Sequence, residues 1–181
     1  MEQNKIDDLE DFLYHYKEKY SFINVRTQTK WSLLMAHCKE SKLEYERAAT
    51  NYSQVIEQLK EYPRIMVVDL GLIYSKLGRC FYESGMWNKA IGSYTLALNH
   101  FKQSKKIQEY ASTMVSLGIL YLEVNYFVEA EKCFLVAYDI RRHEGDTNNR
   151  TNILPLLLNL VDSNISLKNY TQAQQILQLM H

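Results

Sequence analysis

The sequence predicts an all-α protein built of stacked helical hairpins, and three observations carry that reading. An aromatic residue stands three places before an alanine four times, as Tyr45/Ala48, Trp87/Ala90, Phe127/Ala130 and Tyr170/Ala173, and the alanines are 42, 40 and 43 residues apart. Apolar positions accompany each alanine at spacings of three, four and seven, which belong to one helix face. Only two prolines and six glycines occur in 181 residues, so little interrupts the helices. A fixed period of this size means one supersecondary unit copied and stacked, each copy unable to bury its apolar face without a neighbour. Function then lies on the surface of the stack.

The elements follow in order. Residues 1–25 stand outside the repeats: Ile6, Leu9, Phe12, Leu13 and Tyr16 recur at helical spacing while Asp7, Asp8, Glu10, Asp11 and Lys17 fill the other face, which reads as a capping helix or as the stub of a larger N-terminal region. Repeats then occupy 26–181, in units of about 28–62, 64–104, 105–146 and 150–181. Twelve residues before each alanine comes a small or modest residue after an apolar one: Met35-Ala36, Leu77-Gly78, Leu117-Gly118 and Leu160-Val161. Four residues after it stands Tyr52, Tyr94, Phe134 or Leu177, and seven after it Val55, Ala97, Ala137 or Met180. Each unit is thus two antiparallel helices, A and B, in which Gly or Ala permits close approach and aromatics fill the wedge between pairs. Short turns leave about 16 to 18 residues per helix. Pro63 separates units one and two, and Pro155 is expected in the first turn of a helix behind Thr151 and Asn152. The last B helix stops at Gln178-Leu179-Met180-His181, which reads either as a dimer contact through Leu177 and Met180 or as the end of a fragment.

These residues resemble a family. Tyr74-x2-Leu77-Gly78-x2-Phe81 followed by Ala90, Tyr94 and Ala97 resembles the tetratricopeptide pattern, as does Met114-x2-Leu117-Gly118-x2-Tyr121 with Ala130, Phe134 and Ala137. Unit one departs from it with Lys39 where an aromatic is expected, and unit four with Asn164 there and Val161 for the small residue. The resemblance implies a right-handed superhelix of about four helix-turn-helix repeats. The long period is similar to that of the bacterial Rap, NprR and PlcR group of peptide-pheromone receptors, and also to kinesin light chains and large regulatory ATPases. An Asn, Lys, Ile and Tyr rich composition looks like a low-GC bacterium and favours the first group.

Composition excludes several classes. The chain carries 21 basic and 21 acidic residues, so no net field draws it to nucleic acid or anionic lipid. Its acidic N-terminal segment lacks the basic and apolar regions of a secretory signal, and no apolar run approaches a membrane span, so a cytoplasmic protein is expected. Cys38, Cys80 and Cys133 are odd in number and widely spaced, as expected of reduced, buried thiols. Gly71, Gly78, Gly85 and Gly92 form a sevenfold ladder without a following Gly-Lys-Ser/Thr, so they read as packing glycines on helix faces and at one turn. His15, His37, His100, His143 and His181 are dispersed, with His143 in a polar connection running Arg141 to Asp146. No enzyme, cofactor or metal site is expected.

The resemblance implies that the A helices line the concave groove. Its positions fall on Lys30, Leu33, Leu34, His37, Glu40 and Ser41 in unit one, and on Leu72, Ser75, Lys76, Arg79, Tyr82 and Glu83 in unit two. Unit three contributes Ser112, Val115, Ser116, Ile119, Leu122 and Glu123, and unit four Pro155, Leu158, Asn159, Asp162, Ile165 and Ser166. From these Lys76, Arg79, Glu83, Val115, Ile119, Glu123, Asn159 and Asp162 are the candidate peptide-binding residues. Arg and Lys suit a carboxylate, the apolar positions suit alternate side chains, and the Asn amide suits a peptide backbone. Beside that stands a packing reading: Val115, Ile119 and Leu122 serve the core, and Glu83 pairs with Lys76 or Arg79 on the helix surface. The Lys and Asn clamp by which heat-shock chaperone cofactors hold a carboxylate is absent, since Leu33 and His37, or Ser75 and Arg79, occupy its first positions. The expected partner is a peptide or protein segment, bound either by a switching receptor or by a static scaffold or secretion-type chaperone.

Overall fold

The computed structural model describes residues 2–19, 24–63, 69–143 and 149–180. These form helices α1 (Glu2–Lys19), α2 (Val25–Ser41), α3 (Tyr45–Glu61), α4 (Leu70–Glu83), α5 (Trp87–Gln103), α6 (Ile107–Glu123), α7 (Phe127–His143), α8 (Asn149–Ser166) and α9 (Tyr170–Gln178), with no strand among the described residues. The four aromatics that announce the repeat are each the first residue of a helix. They do not all fill the wedge: Trp87 and Tyr170 are exposed. The aromatic that is sealed in stands seven residues further on, as Tyr52, Tyr94 and Phe134, one face of the same helix.

Local signals set the ends. Asn24 accepts from the Thr27 amide at 2.9 Å and Asp69 from the Gly71 amide at 2.7 Å, so both helices begin on a side-chain cap. Five helices end in the same left-handed turn, at Leu43, Gly85, Lys105, Asn125 and Lys168. In each, the amide two residues past the cap reaches back over the last turn: Glu44 to the Lys39 carbonyl at 2.9 Å, Met86 to Phe81 at 2.8 Å, Lys106 to Phe101 at 2.9 Å, Tyr126 to Tyr121 at 2.8 Å and Asn169 to Asn164 at 2.8 Å. This double closure satisfies carbonyls that a helix end would leave orphaned. Gly supplies the left-handed residue only once.

Two compact units divide the chain, residues 1–93 and 94–181, within the continuous α5. In the first, α1 packs on α2, α2 on α3 and α3 on α4, around Met35, Ala36, Ala48, Tyr52, Val55, Ile73 and Cys80. In the second, α6 packs on α7, α7 on α8 and α8 on α9, around Ala130, Phe134, Ala137, Leu156, Leu160 and Ala173. Gly118 is the close-approach residue there, its α-carbon lying against the buried Phe134 ring.

Lys39, which breaks the repeat pattern, is explained by α1. It is buried and ion-paired to Glu10, itself buried, with Glu44 at 3.1 Å and with Lys42 and Asp7 completing the cluster. Around it Leu13, Trp31, Met35 and Cys38 form the apolar seam, and the Trp31 indole N–H donates to the Leu13 carbonyl at 2.9 Å.

Three expectations are corrected. Pro155 lies inside α8 rather than in its first turn, because the helix starts at Asn149, earlier than the Pro signal indicates. Gly92 packs against nothing within 4 Å of where a side chain would start, so it is an exposed helix glycine. Arg141, Arg142 and His143 are the last turn of α7 rather than loop; the rest of that connection, residues 144–148, lies outside the described residues, as does His181.

Candidate functional site

The A helices of the first unit are α2 and α4, and one buried carboxylate ties them. Glu40, 8% exposed, accepts from the Tyr52 hydroxyl at 2.7 Å and from Lys76 Nζ at 3.0 Å, with Arg79 Nη1 3.7 Å from its second oxygen. The expected surface pair with Glu83 is therefore corrected: Lys76 and Arg79 turn to Glu40, one helix away, while Glu83 stays exposed and adds only a weaker attraction to Arg79. Burial would raise the Glu40 carboxyl, but the Tyr52 hydroxyl and the two cations outweigh it and hold it below its ordinary range. Burial and its bond to Glu40 push the Tyr52 phenol the other way, upward. The His37 ring lies tilted beside that of Tyr52, with centroids 5.8 Å apart, and its partial desolvation together with the Lys76 charge lowers its pKa. Lys76 is half-buried, whereas Arg79 keeps 54% of its side chain in solvent.

In the second unit the A helices are α6 and α8, which touch. Val115, Ile119 and Leu122 are half-buried against the core, so packing is their first task. Glu123 and Asp162 are exposed, Asn159 is half-buried, and Leu158 and Ile165 stand 49% and 48% exposed on α8. The structure thus brings Lys76 and Arg79 together in one unit and Val115 and Ile119 together in the other. The fully buried amide is Asn164, not Asn159. Asn164 donates to the Leu160 carbonyl at 2.9 Å, and its own carbonyl oxygen has no partner among the described residues.

Sequence reasoning missed the role of two carboxylates. The repeat pattern puts Glu40 among groove-facing surface positions, and the helical periodicity puts Glu10 on the polar face of a capping helix. A signal existed for the second: a lysine at an aromatic core position demands an anion. For the first, the partners lie 12 and 36 residues away, beyond any local pattern.

Among the described residues no cluster could hold a metal ion, and no helix is long and apolar enough to cross a membrane. The three cysteines are free and buried. Burial pushes the Cys80 thiol up to about 12 and the Cys133 thiol up to about 11, away from thiolate reactivity.

No protein-family model matches the chain, and no curated protein matches it. Solved structures do. BtubC (BKLC) from P. vanneervenii is similar over 99% of this chain and 73% of its own, at 19% identity and a TM-score of 0.83. The apo form of RapI is similar over 98% of this chain and 48% of its own, at 13% identity and a TM-score of 0.81. A putative kinesin light chain of P. anserina with nearly identical TPR-like repeats follows at 13% identity, 98% and 84% coverage and a TM-score of 0.74. The chain spans about half the length of RapI. The fold is accordingly the all-α, tetratricopeptide-like helical-repeat fold that the sequence predicts.

Proposed function

We propose that the chain is a polypeptide-binding repeat module: a cytoplasmic regulatory receptor whose A-helix faces take a short peptide or partner segment and so alter how it meets a transcriptional or signalling partner. The observation that carries this is the arrangement at Glu40. Two cations share one buried carboxylate, which holds them side by side, with Arg79 reaching solvent and only weakly attracted by exposed Glu83. A carboxylate or acidic side chain of a ligand complements that exposed guanidinium. On the second unit, exposed Leu158 and Ile165 stand with Asn159 and Asp162 on α8, the mixture an extended peptide uses for side-chain anchoring and main-chain pairing. Glu83 and Glu123 edge these faces, and Val115 and Ile119 offer their outer sides. The resemblance to peptide-pheromone receptors and the fold likeness to RapI support the receptor reading.

Native mass spectrometry of protein purified from its host should reveal a retained peptide. With that peptide in hand, Arg79→Gln and Asn159→Ala should each weaken binding tenfold or more at unchanged helicity; wild-type affinity in both removes these faces from the site. A second reading, a static scaffold or secretion-type chaperone, is favoured by the Glu40 network, which fastens α2, α3 and α4 to one another. Scattering distinguishes them, since a switch changes the radius of gyration on peptide addition and a scaffold does not. Leu177, exposed near the end of α9, and half-buried Met180 beyond it are the expected contact if the protein self-associates, which sedimentation of a Leu177→Glu variant would read.

A further inference from the structure

A pocket of about 400 Å³ opens in the second unit, away from the A-helix faces, lined by Phe101, Lys102, Lys105, Ile107, Tyr110 and Ile140. The end of α5, the start of α6 and the end of α7 build it. Phe101 is buried, Tyr110 and Ile140 are half-buried, and Ile107 is left 57% exposed. Apart from the two lysines the lining is apolar, and its volume falls in the range of small-ligand sites. An apolar cavity gives water few partners, so a hydrocarbon or aryl group gains by replacing it.

Both charged residues of the lining are cationic. Lys102 and Lys105 are exposed and neither joins an ion pair among the described residues. The Lys105 backbone is fixed in the left-handed turn, with φ of 56° and the Lys106 amide bonded to the Phe101 carbonyl. Arg141 and Arg142 follow Ile140 in the last turn of α7, with Glu109 and Asp139 the acidic residues nearby in sequence. Lys106, the N-cap of α6, gives the first-turn amides no side-chain acceptor, so the helix N-terminus contributes positive potential at the side where Ile107 lines the pocket, partly offset by Glu109 in that first turn.

We propose that this pocket binds an apolar carboxylate, its hydrocarbon or aryl part over Phe101 and Ile140 and its anionic end at Lys102 and Lys105. Such a group belongs either to the C-terminal residue of a peptide or to a free aliphatic or aromatic acid. The site shares no residue with the A-helix faces, so it stands or falls independently of the function proposed above.

The test is titration of the full chain with N-acetyl-phenylalanine, N-acetyl-phenylalaninamide and octanoate, followed by the methyl NMR signals of Ile107 and Ile140. The acid is expected to shift both signals saturably, the amide to bind at least tenfold more weakly, and Lys102→Glu with Lys105→Glu to abolish the preference at unchanged melting temperature. Binding of the acetylated amino acid alone identifies a peptide end, and of octanoate alone a free acid; either supports the proposal. No saturable shift with either acid, equal affinity for acid and amide, or an acid preference that survives the double charge reversal would overturn it.

Discussion

A methyl group added at Gly118 would sit 2.6 Å from Cε1 of Phe134, a ring with no exposed surface and packed core on every side. Helix propensity favours alanine by about 1 kcal/mol, but forcing an atom into a packed core costs about 1–3 kcal/mol. Gly118→Ala should therefore lower the urea-unfolding free energy, while Gly92→Ala, with open space around it, should raise it by about 1 kcal/mol. A gain at both positions would show that α6 and α7 do not meet at that ring. Leu43 is exposed and holds a φ of 59°, so Leu43→Gly should also gain about 1 kcal/mol by relieving the left-handed strain. Residue-scale facts of this kind divide by how local their cause is. The sequence pointed to Gly118 because its cause repeats every period. Asn159 and Asn164 both lie near leucines, yet Asn164 is four residues from Leu160 and eight from Leu156, in register with the buried stripe, whereas Asn159 stands about 100° round the helix. Glu40 depends on Tyr52 and Lys76 from other helices, and nothing adjacent to it in the chain reveals that.

At the scale of the element, α1 shows how a terminal unit replaces a missing neighbour. Where the pattern calls for an aromatic, Lys39 turns to Glu10, and α1 covers Trp31 and Met35. The helix itself was legible from its periodicity, but the choice of Leu13 rather than Phe12 as its core residue was not, since both fall on apolar positions and only docking decides. Burial raises the Glu10 carboxyl, and bonds from Lys39 and Lys42 outweigh it to lower its pKa; burial lowers Lys39, and its bonds to Glu10 and Glu44 outweigh that to raise it. A lowered acid contributes stability above its unfolded value of 4.5 that disappears as pH falls through the folded value. A raised base contributes below 10.5 and loses that as pH rises through the folded value. Docking of α1 should hold between these limits and fail first in acid. In a Trp87→Phe background, Trp31 emission should shift to the red below pH 4.5, and Glu10→Gln should produce the same shift at neutral pH by leaving Lys39 buried without its anion. Asp8→Asn, at an exposed site, should change neither. A Trp31 spectrum indifferent to Glu10→Gln would mean that the apolar seam alone holds α1.

For the whole molecule, the periodic aromatics and alanines made the hairpin repeat legible, because each copy must present the same face to its neighbours. The division into compact units was not legible, since it falls between Ser93 and Tyr94, inside one unbroken helix, rather than at a turn. Repeat proteins take their stability from each element and its nearest neighbours, so a helix common to two units makes the folding of one support the other. That coupling can be tested without disturbing either core. Gly92 lies beside the division, and a side chain there meets nothing within 4 Å, so proline at 92 would act on the helix backbone alone. It removes one intrahelical hydrogen bond and clashes with the carbonyl four residues earlier, at a cost of about 3 kcal/mol. The wild-type chain is expected to unfold in urea in one transition. Gly92→Pro should split it into two, each with a smaller dependence on denaturant because each exposes less surface. If the variant keeps a single transition of unchanged slope and only a lower midpoint, α5 is not what joins the stabilities of the two units.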